Sequence, residues 1–339
     1  MFLRLTPSLP GGRTDGSLFL NEKRSRFFPW PMLYGNVFYM TARNKDVMTR
    51  TTALNVVWTA LIFVFTVFPA RSETVPAPST LKANFRRVGL ELSSTNVSHA
   101  TEYENSPLSR LNADSQSVVK GVFDFMLEYN REDMRWNNGL FMEYARTKLK
   151  PEGEPSETNE SADKILLSSS YAHKVWKLSG VNFGPMFNAE YQTEFTRNND
   201  APRAKIARMK GGLTLFDGKI VKDFYVAAVG EYDMTYSKHV SKFAGEVGWR
   251  LEYKPENRPN ISFSTDGYYR RYFSYSQYIG TDLRYELSLT ARMDASVTDT
   301  LSLGPYISYL RAHSRESSVA GANFMIGLSF SYKDLFSLK

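Results

Sequence analysis

The sequence predicts an all-β fold: a closed, antiparallel, up-and-down barrel of about twelve strands, within a range of about ten to fourteen, built to cross a membrane. Three observations predict it. From residue 83 onward, apolar and polar side chains alternate with period two. The connections between alternating segments are long at one end and tight at the other. The only long apolar run, "ALNVVWTALIFVFTVFPARS" from Ala53 to Ser72, stands before this region and does not interrupt it.

That run has the layout of a secretory signal peptide. Arg43, Lys45 and Arg50 precede an uncharged core, Pro69 ends it, and Ala70 and Ser72 supply small residues at the positions a signal peptidase reads. A retained anchor is the alternative, but the core is short for a spanning helix and carries Asn55, Thr59 and Thr66. Met48 opens a suitable charged start, so residues 48–72 are read as the signal peptide. Residues 1–47, with the Pro/Gly/Arg-rich "SLPGGRTDGS", are read as an over-extended gene start or a disordered extension. Residues 73–82, "ETVPAPST" and its flank, form a linker, and 83–339 form the barrel.

The barrel segments follow in order near 83–95, 116–130, 133–148, 163–177, 182–195, 204–217, 221–236, 241–254, 259–272, 282–294, 299–311 and 322–334. The seventh shows it well: Phe224, Val226, Ala228, Gly230, Tyr232, Met234 and Tyr236 fall on one face, and Asp223, Tyr225, Ala227, Val229, Glu231, Asp233 and Thr235 on the other. On a helix these two sets would scatter around the cylinder; on a strand they separate. Residues 182–195, 243–253 and 282–294 sort likewise, whereas the third and fourth segments alternate poorly. The connections near 96–115, 149–162, 196–203, 273–281 and 312–321 are long, while Arg131-Glu132, Leu178–Gly180, Asp217–Lys219, Lys254–Arg258 and Ala295–Thr298 are tight; the connection near Lys238–Val240 breaks this rule by being short. Tyr191, Tyr232, Tyr269, Tyr285 and Tyr309 lie toward the long-loop ends, and Tyr129, Trp249, Tyr253 and Tyr332 toward the tight ends, as two aromatic girdles would.

Charge supports this division. The chain carries +7 overall, but residues 1–72 hold nine Lys/Arg against three Asp/Glu, so the barrel region is nearly neutral. A nucleic-acid partner, which would need a basic face, is not expected. The chain has no cysteine, which excludes disulfides, thiolate metal sites and a Cys nucleophile.

The last segment, "NFMIGLSFSYKDLF", resembles the C-terminal insertion signal of bacterial outer-membrane β-barrel proteins, with Gly327, Phe330 and Tyr332 at the matching positions. Met325 stands where that signal has a polar residue, and the chain continues beyond Tyr332. The resemblance covers about residues 83–336 and is to an uncharacterised, porin-like family. It implies a Gram-negative outer-membrane location, reached by export through the inner membrane. The implied partners are the lipid bilayer and the barrel-insertion machinery.

Lipid offers no hydrogen-bond partners, so a sheet within it must close on itself. The apolar set then faces lipid and the polar set lines a lumen. Lumen-lining candidates are Asp124, Glu128, Glu190, Glu194, Asp223, Glu231, Asp233, Glu246, Arg250, Glu252, Asp266, Arg270, Arg284, Glu286 and Arg292. Acids exceed bases among them, so an open lumen would favour small cations or other solutes; in a barrel this narrow, paired charges can equally fill the interior. The function expected is a small porin-like channel or a passive barrel with a mildly acidic lumen. An interaction protein acting through its outer loops is the alternative.

A hydrolase is a third reading, because outer-membrane phospholipases use a His-x-Ser pair and His239-Val240-Ser241 lies at an outer turn. No Asn stands at the orienting position on the following strand, so an enzyme is not expected. The other histidines, His99, His173 and His313, are scattered, and no metal site or cofactor is expected.

Overall fold

The computed structural model describes residues 79–103, 106, 108–111, 117–149, 157–197 and 202–338. Residues 1–78, which include the segments read from the sequence as an N-terminal extension, a signal peptide and most of a linker, lie outside the described residues.

The chain forms β1 (Thr80–Ser98), β2 (Ser117–Asn130), β3 (Met134–Leu149), β4 (Glu157–His173), β5 (Trp176–Leu178), β6 (Val181–Thr193) and β7 (Lys205–Phe216). It continues with β8 (Val221–Asp233), β9 (Val240–Tyr253), β10 (Ile261–Tyr275), β11 (Leu283–Ser296), β12 (Leu301–Ser314) and β13 (Gly321–Ser337). The twelve long strands fall on the twelve sequence segments. Each pairs antiparallel with its neighbours in sequence, β1 with β13 and β4 with β6, so the sheet closes into a barrel. β5 is a short addition: Val175 breaks from β4, and positive φ at Ser179 and Gly180 turns the chain back into β6.

The barrel is apolar outside and polar within. On β1, Leu90 is 58% exposed and its neighbour Glu91 only 1%. The same inversion runs along β8, where Phe224, Val226 and Tyr232 are exposed and Val229, Glu231 and Asp233 buried, and along β13, where Phe324, Ile326, Leu328 and Phe330 are exposed. Together these side chains form an apolar belt of a kind water-soluble monomers do not display.

Two departures from strict alternation matter for the interior. A bulge in β1 between Phe85 and Val88 inserts one residue, and Arg86 and Arg87 both reach inward acids, Asp124 and Glu91. A second irregularity, between Leu283 and Tyr285 of β11, brings Leu283 against buried apolar side chains and leaves Arg284 exposed.

The connections also differ from expectation. The described residues of the predicted loop 149–162 are strand: Leu149 pairs with Glu157, and Arg146 pairs with Glu160. "ETNESAD" is polar on both faces, so it carries no apolar alternation to read. The described residues of the connection after β1 fold into the barrel mouth. Tyr103 and Leu111, in short 3-10 turns, are buried against Leu310 and Ala312 on the inner face of β12. The Tyr103 hydroxyl donates to the Val319 carbonyl at 2.9 Å and accepts from the Ser314 amide at 2.9 Å, tying this connection to the end of β12.

Candidate functional site

The barrel interior is a set of buried ion pairs. The larger lies on β6 to β11 and centres on Glu246 and Glu231, 2% and 3% exposed. Glu246 accepts from Lys210 at 2.7 Å, from Arg270 Nε at 2.6 Å and from the Tyr225 hydroxyl at 2.6 Å. Gly248 lies opposite Tyr225 on the neighbouring strand, and the Tyr225 ring occupies the space a side chain there would fill. The small residue therefore lets the tyrosine lie down and reach Glu246. Glu231 accepts from Arg208 Nε at 2.6 Å and from the Tyr272 hydroxyl at 3.1 Å, with Lys242 3.1 Å away. Lys210 also meets Glu190 at 2.7 Å, and Tyr268 donates to Glu286 at 2.5 Å.

A second network joins β1, β2, β11 and β13. Glu91 lies between Arg292 at 2.8 Å, Lys120 at 2.9 Å and Arg87 at 3.2 Å. Arg292 continues to Asp294 at 3.2 Å, and Asp294 to Lys333 at 2.7 Å. At the tight-turn end, Arg135 of β3 meets Asp217 at 3.0 Å and hydrogen-bonds Asp223 of β8, with its guanidinium over the Phe216 ring. Charges at this depth are costly unless paired and hydrogen-bonded, and these are.

Near the long-loop end, buried carboxylates hold the loop roots. Asp163 accepts from the amides of Phe195 and Thr196 at 2.8 and 2.9 Å. Glu194 accepts from the Ala204 amide, Asp233 from Thr235 and Asp282 from Ile279, at 2.8, 3.0 and 2.9 Å. Between them, Arg110 enters from the β1–β2 connection, donates to Ser308 Oγ at 2.8 Å, and has its carbonyl held by Asn323 at 2.5 Å. The remaining space here, bordered by Arg110, Glu143, Lys164, Arg208, Glu231 and Glu286, measures about 80 Å³. That is room for a few waters and far below the roughly 300–1,000 Å³ of a small-molecule pocket.

Of the sequence candidates, Glu194, Glu231, Asp233, Glu246, Arg270, Glu286 and Arg292 are buried and partnered as described, and Asp124 is buried in a pair with Arg86 at 2.7 Å. Glu128 accepts from Asn84 at 2.7 Å. Glu190 and Asp223 are half-buried in the pairs given above. Arg250 and Asp266 face one another across the β9–β10 pairing, half-buried. Glu252 lies toward the tight-turn end with the exposed Lys254 at 3.2 Å. Arg284 is a correction: the β11 irregularity leaves it exposed at the long-loop rim, donating to the Arg315 carbonyl at 3.0 Å. Sequence reasoning missed Arg86, Arg135, Arg208, Lys210 and Lys242. Arg208 and Lys210 have the spacing of one strand face and were open to the same argument as the acids. Arg86 was hidden by the bulge.

Gly327, Phe330 and Tyr332 lie on β13, with Phe330 exposed and the Tyr332 hydroxyl donating to Asp334 at 2.7 Å. The tail beyond Tyr332 continues the strand, pairing with β1 as far as Ser337 opposite Lys82. His239 and Ser241 lie at the β8–β9 turn, but no hydrogen bond joins their side chains. His239 Nδ1 instead meets the Tyr232 hydroxyl at 3.0 Å, and the Ser241 amide donates to Ser276 Oγ. Among the described residues no cluster of three His, Asp or Glu is arranged to hold a metal.

A family model described as a protein of unknown function, DUF3078, matches residues 112–199. No curated protein matches the chain. Among solved structures, the chain resembles the outer membrane phospholipase A of Escherichia coli at 11% identity, with 72% of this chain and 89% of that chain covered and a TM-score of 0.38. An outer membrane channel from Pseudomonas putida F1 matches at 10% identity, covering 79% and 100%, with a TM-score of 0.38. The NanC porin matches at 11% identity, covering 71% and 98%, with a TM-score of 0.34. None of these likenesses bears on activity.

Proposed function

We propose that this chain is an outer-membrane β-barrel with a passive, ion-paired lumen, exported by its N-terminal signal peptide and inserted through its last strand. The observation that carries the reading is the inversion of polarity: an exposed apolar belt around a wall whose inner side is charged. In water that belt would drive aggregation; in lipid it is the solvent-facing surface. The lumen is supported as a constricted one by the two carboxylate-centred networks and by Arg110, which reaches down from the β1–β2 connection. Residual conductance is therefore restricted to small ions, with cations favoured by the carboxylates at the long-loop end.

The test is conductance in planar bilayers, with heat-modifiable gel migration to establish that the barrel has folded. The folded protein is expected to conduct weakly. Arg110→Ala, which removes the bond to Ser308, is expected to raise the open-state conductance. A wild-type conductance typical of open porins would refute the constricted lumen. A folded species found only in the soluble fraction would refute the membrane assignment.

A further inference from the structure

On the barrel exterior near the long-loop end, strands β10, β11 and β12 carry a group of arginines directly above an apolar surface. Arg271 and Arg311 are exposed on the outward face, and Arg284 is exposed beside them. The register shows how they are arranged. Arg271 lies opposite Tyr285, and Tyr285 opposite His313, forming one row across three strands. One step toward the membrane interior, Tyr269 lies opposite Leu287 and Leu287 opposite Arg311, forming a second row. With strands about 4.8 Å apart and a rise of about 3.4 Å per residue, Arg271 and Arg311 are near enough for both side chains to reach one group between them. The tyrosines form a floor. The Tyr269 and Tyr285 ring centroids are 6.0 Å apart, Tyr285 and His313 5.7 Å, and the Arg311 guanidinium lies by the Tyr285 and Tyr309 hydroxyls.

Among the described residues these arginines have no acidic partner. The outward positions of β10 (Phe263, Thr265, Gly267, Tyr269, Arg271), of β11 (Tyr285, Leu287, Leu289, Ala291, Met293) and of β12 (Leu303, Pro305, Ile307, Tyr309, Arg311, His313) include no Asp or Glu. None of Arg271, Arg284 and Arg311 makes an ion pair with the described residues. This contrasts with the lumen, where buried arginines are matched to carboxylates. A guanidinium at the lipid–water boundary is tolerated, unlike one at mid-membrane, and its fork geometry suits a phosphate.

We propose that this face binds the phosphate of an anionic lipid headgroup in the leaflet at the long-loop end. The proposal rests on the membrane reading above. The phosphate lies between Arg271 and Arg311 over the Tyr285 ring, and the acyl chains run down the apolar surface beside Leu287, Leu289 and Ile307. Arg284, tied to the Arg315 carbonyl, closes the upper side. Lipid is the source favoured because the cations continue directly into the apolar belt, which a free anion would not use.

The experiment reconstitutes the folded full-length protein into phosphatidylcholine nanodiscs doped with bisphosphorylated lipid A, and counts retained lipid A by native mass spectrometry. The wild type is expected to retain lipid A in preference to its dephosphorylated form. The paired variant Arg271→Gln/Arg311→Gln is expected to lose at least about tenfold in retention, at roughly fivefold per cation, while a control at the opposite end, Lys177→Gln, retains it. Equal retention in the paired variant, no preference for the phosphorylated lipid, or full displacement by millimolar inorganic phosphate would each overturn the proposal. Heat-modifiable migration is read on every sample. A folded barrel with no lipid preference defeats this site alone, whereas failure to form a barrel in lipid defeats the membrane reading and the site with it.

Discussion

Replacing Glu246 by Gln tests whether the interior networks hold the wall together. The carboxylate is 2% exposed and receives three donors, from Lys210 at 2.7 Å, Arg270 at 2.6 Å and Tyr225 at 2.6 Å. Glutamine keeps one acceptor oxygen but turns an amide NH₂ toward a cation. Breaking a buried pair from one side costs about 3–5 kcal/mol, because the partner charge is left behind. Here both cations keep something: Lys210 retains Glu190 at 2.7 Å, and Arg270 falls back on Glu231 at 3.7 Å and Glu286 at 3.9 Å. The lower edge, about 3 kcal/mol, is therefore expected, or roughly a 150-fold shift in the unfolding equilibrium. The comparison variant is Glu252→Gln, whose partner Lys254 is 64% exposed; such a pair is worth at most about 1 kcal/mol. Urea titration of the refolded protein in vesicles, followed by the heat-modifiable band and by tryptophan fluorescence, measures both. Coincident midpoints for the two variants would refute the reasoning.

Three further outcomes are expected. Gly212→Ala is expected to destabilise the barrel by about 1–3 kcal/mol, since a methyl there would meet the Val226 carbonyl oxygen at 2.0 Å, while Gly211→Ala, with open space outward, is expected to be neutral in the same titration. Burial pushes the Asp282 carboxyl above its usual 3.8, against the opposing pull of the Ile279 amide and Lys242. A folded-state value above the unfolded one gives stability that is full in acid and fades as pH rises through the folded value. Asp282→Asn is therefore expected to be more stable than wild type at pH 7 and to match it by about pH 3, and an unchanged difference across that range would refute the assignment. Because the chain lacks cysteine, single spin labels report cleanly. Leu287→Cys is expected to favour oxygen and Glu286→Cys a water-soluble relaxant, and identical accessibility at the two would contradict the two-faced wall.

The wall was legible in the sequence because lipid on one side and charge on the other write a period of two into most of the membrane-crossing strands, β3 and β4 being the weakest. The clearest segments, such as 221–236, lie entirely within that gradient. Legibility failed where the gradient stops or slips. The outer arm of β4, whose Glu157 pairs with Leu149, has a polar sequence with no apolar alternation and reads as loop. The bulge at Phe85–Val88 and the irregularity at Leu283–Tyr285 each shift the alternation by one residue, which hid Arg86 and misassigned Arg284. The networks themselves were half legible. Their acids were identified from strand faces, but pairing depends on partners one to three strands away. Arg292 reaches Glu91 across 201 residues of sequence, a relation no local pattern carries. The inward fold of Tyr103 and Leu111 was equally invisible, because short apolar residues in a loop have no period to read.

The carboxylates at the loop roots give the barrel a modular exterior. Asp163, Glu194, Asp233 and Asp282 clamp the chain just where it leaves the wall, from the inner side, and the β6–β7 connection is held in this way at both its ends, by Asp163 at Phe195 and Thr196 and by Glu194 at Ala204. A change in length between Arg197 and Arg203 is therefore expected to leave strand register unaltered, because both ends of this connection are held from the wall. The molecule is in this sense a frame with replaceable tips, and a foreign peptide grafted between Arg197 and Arg203 would be displayed from a base that its own sequence does not have to stabilise.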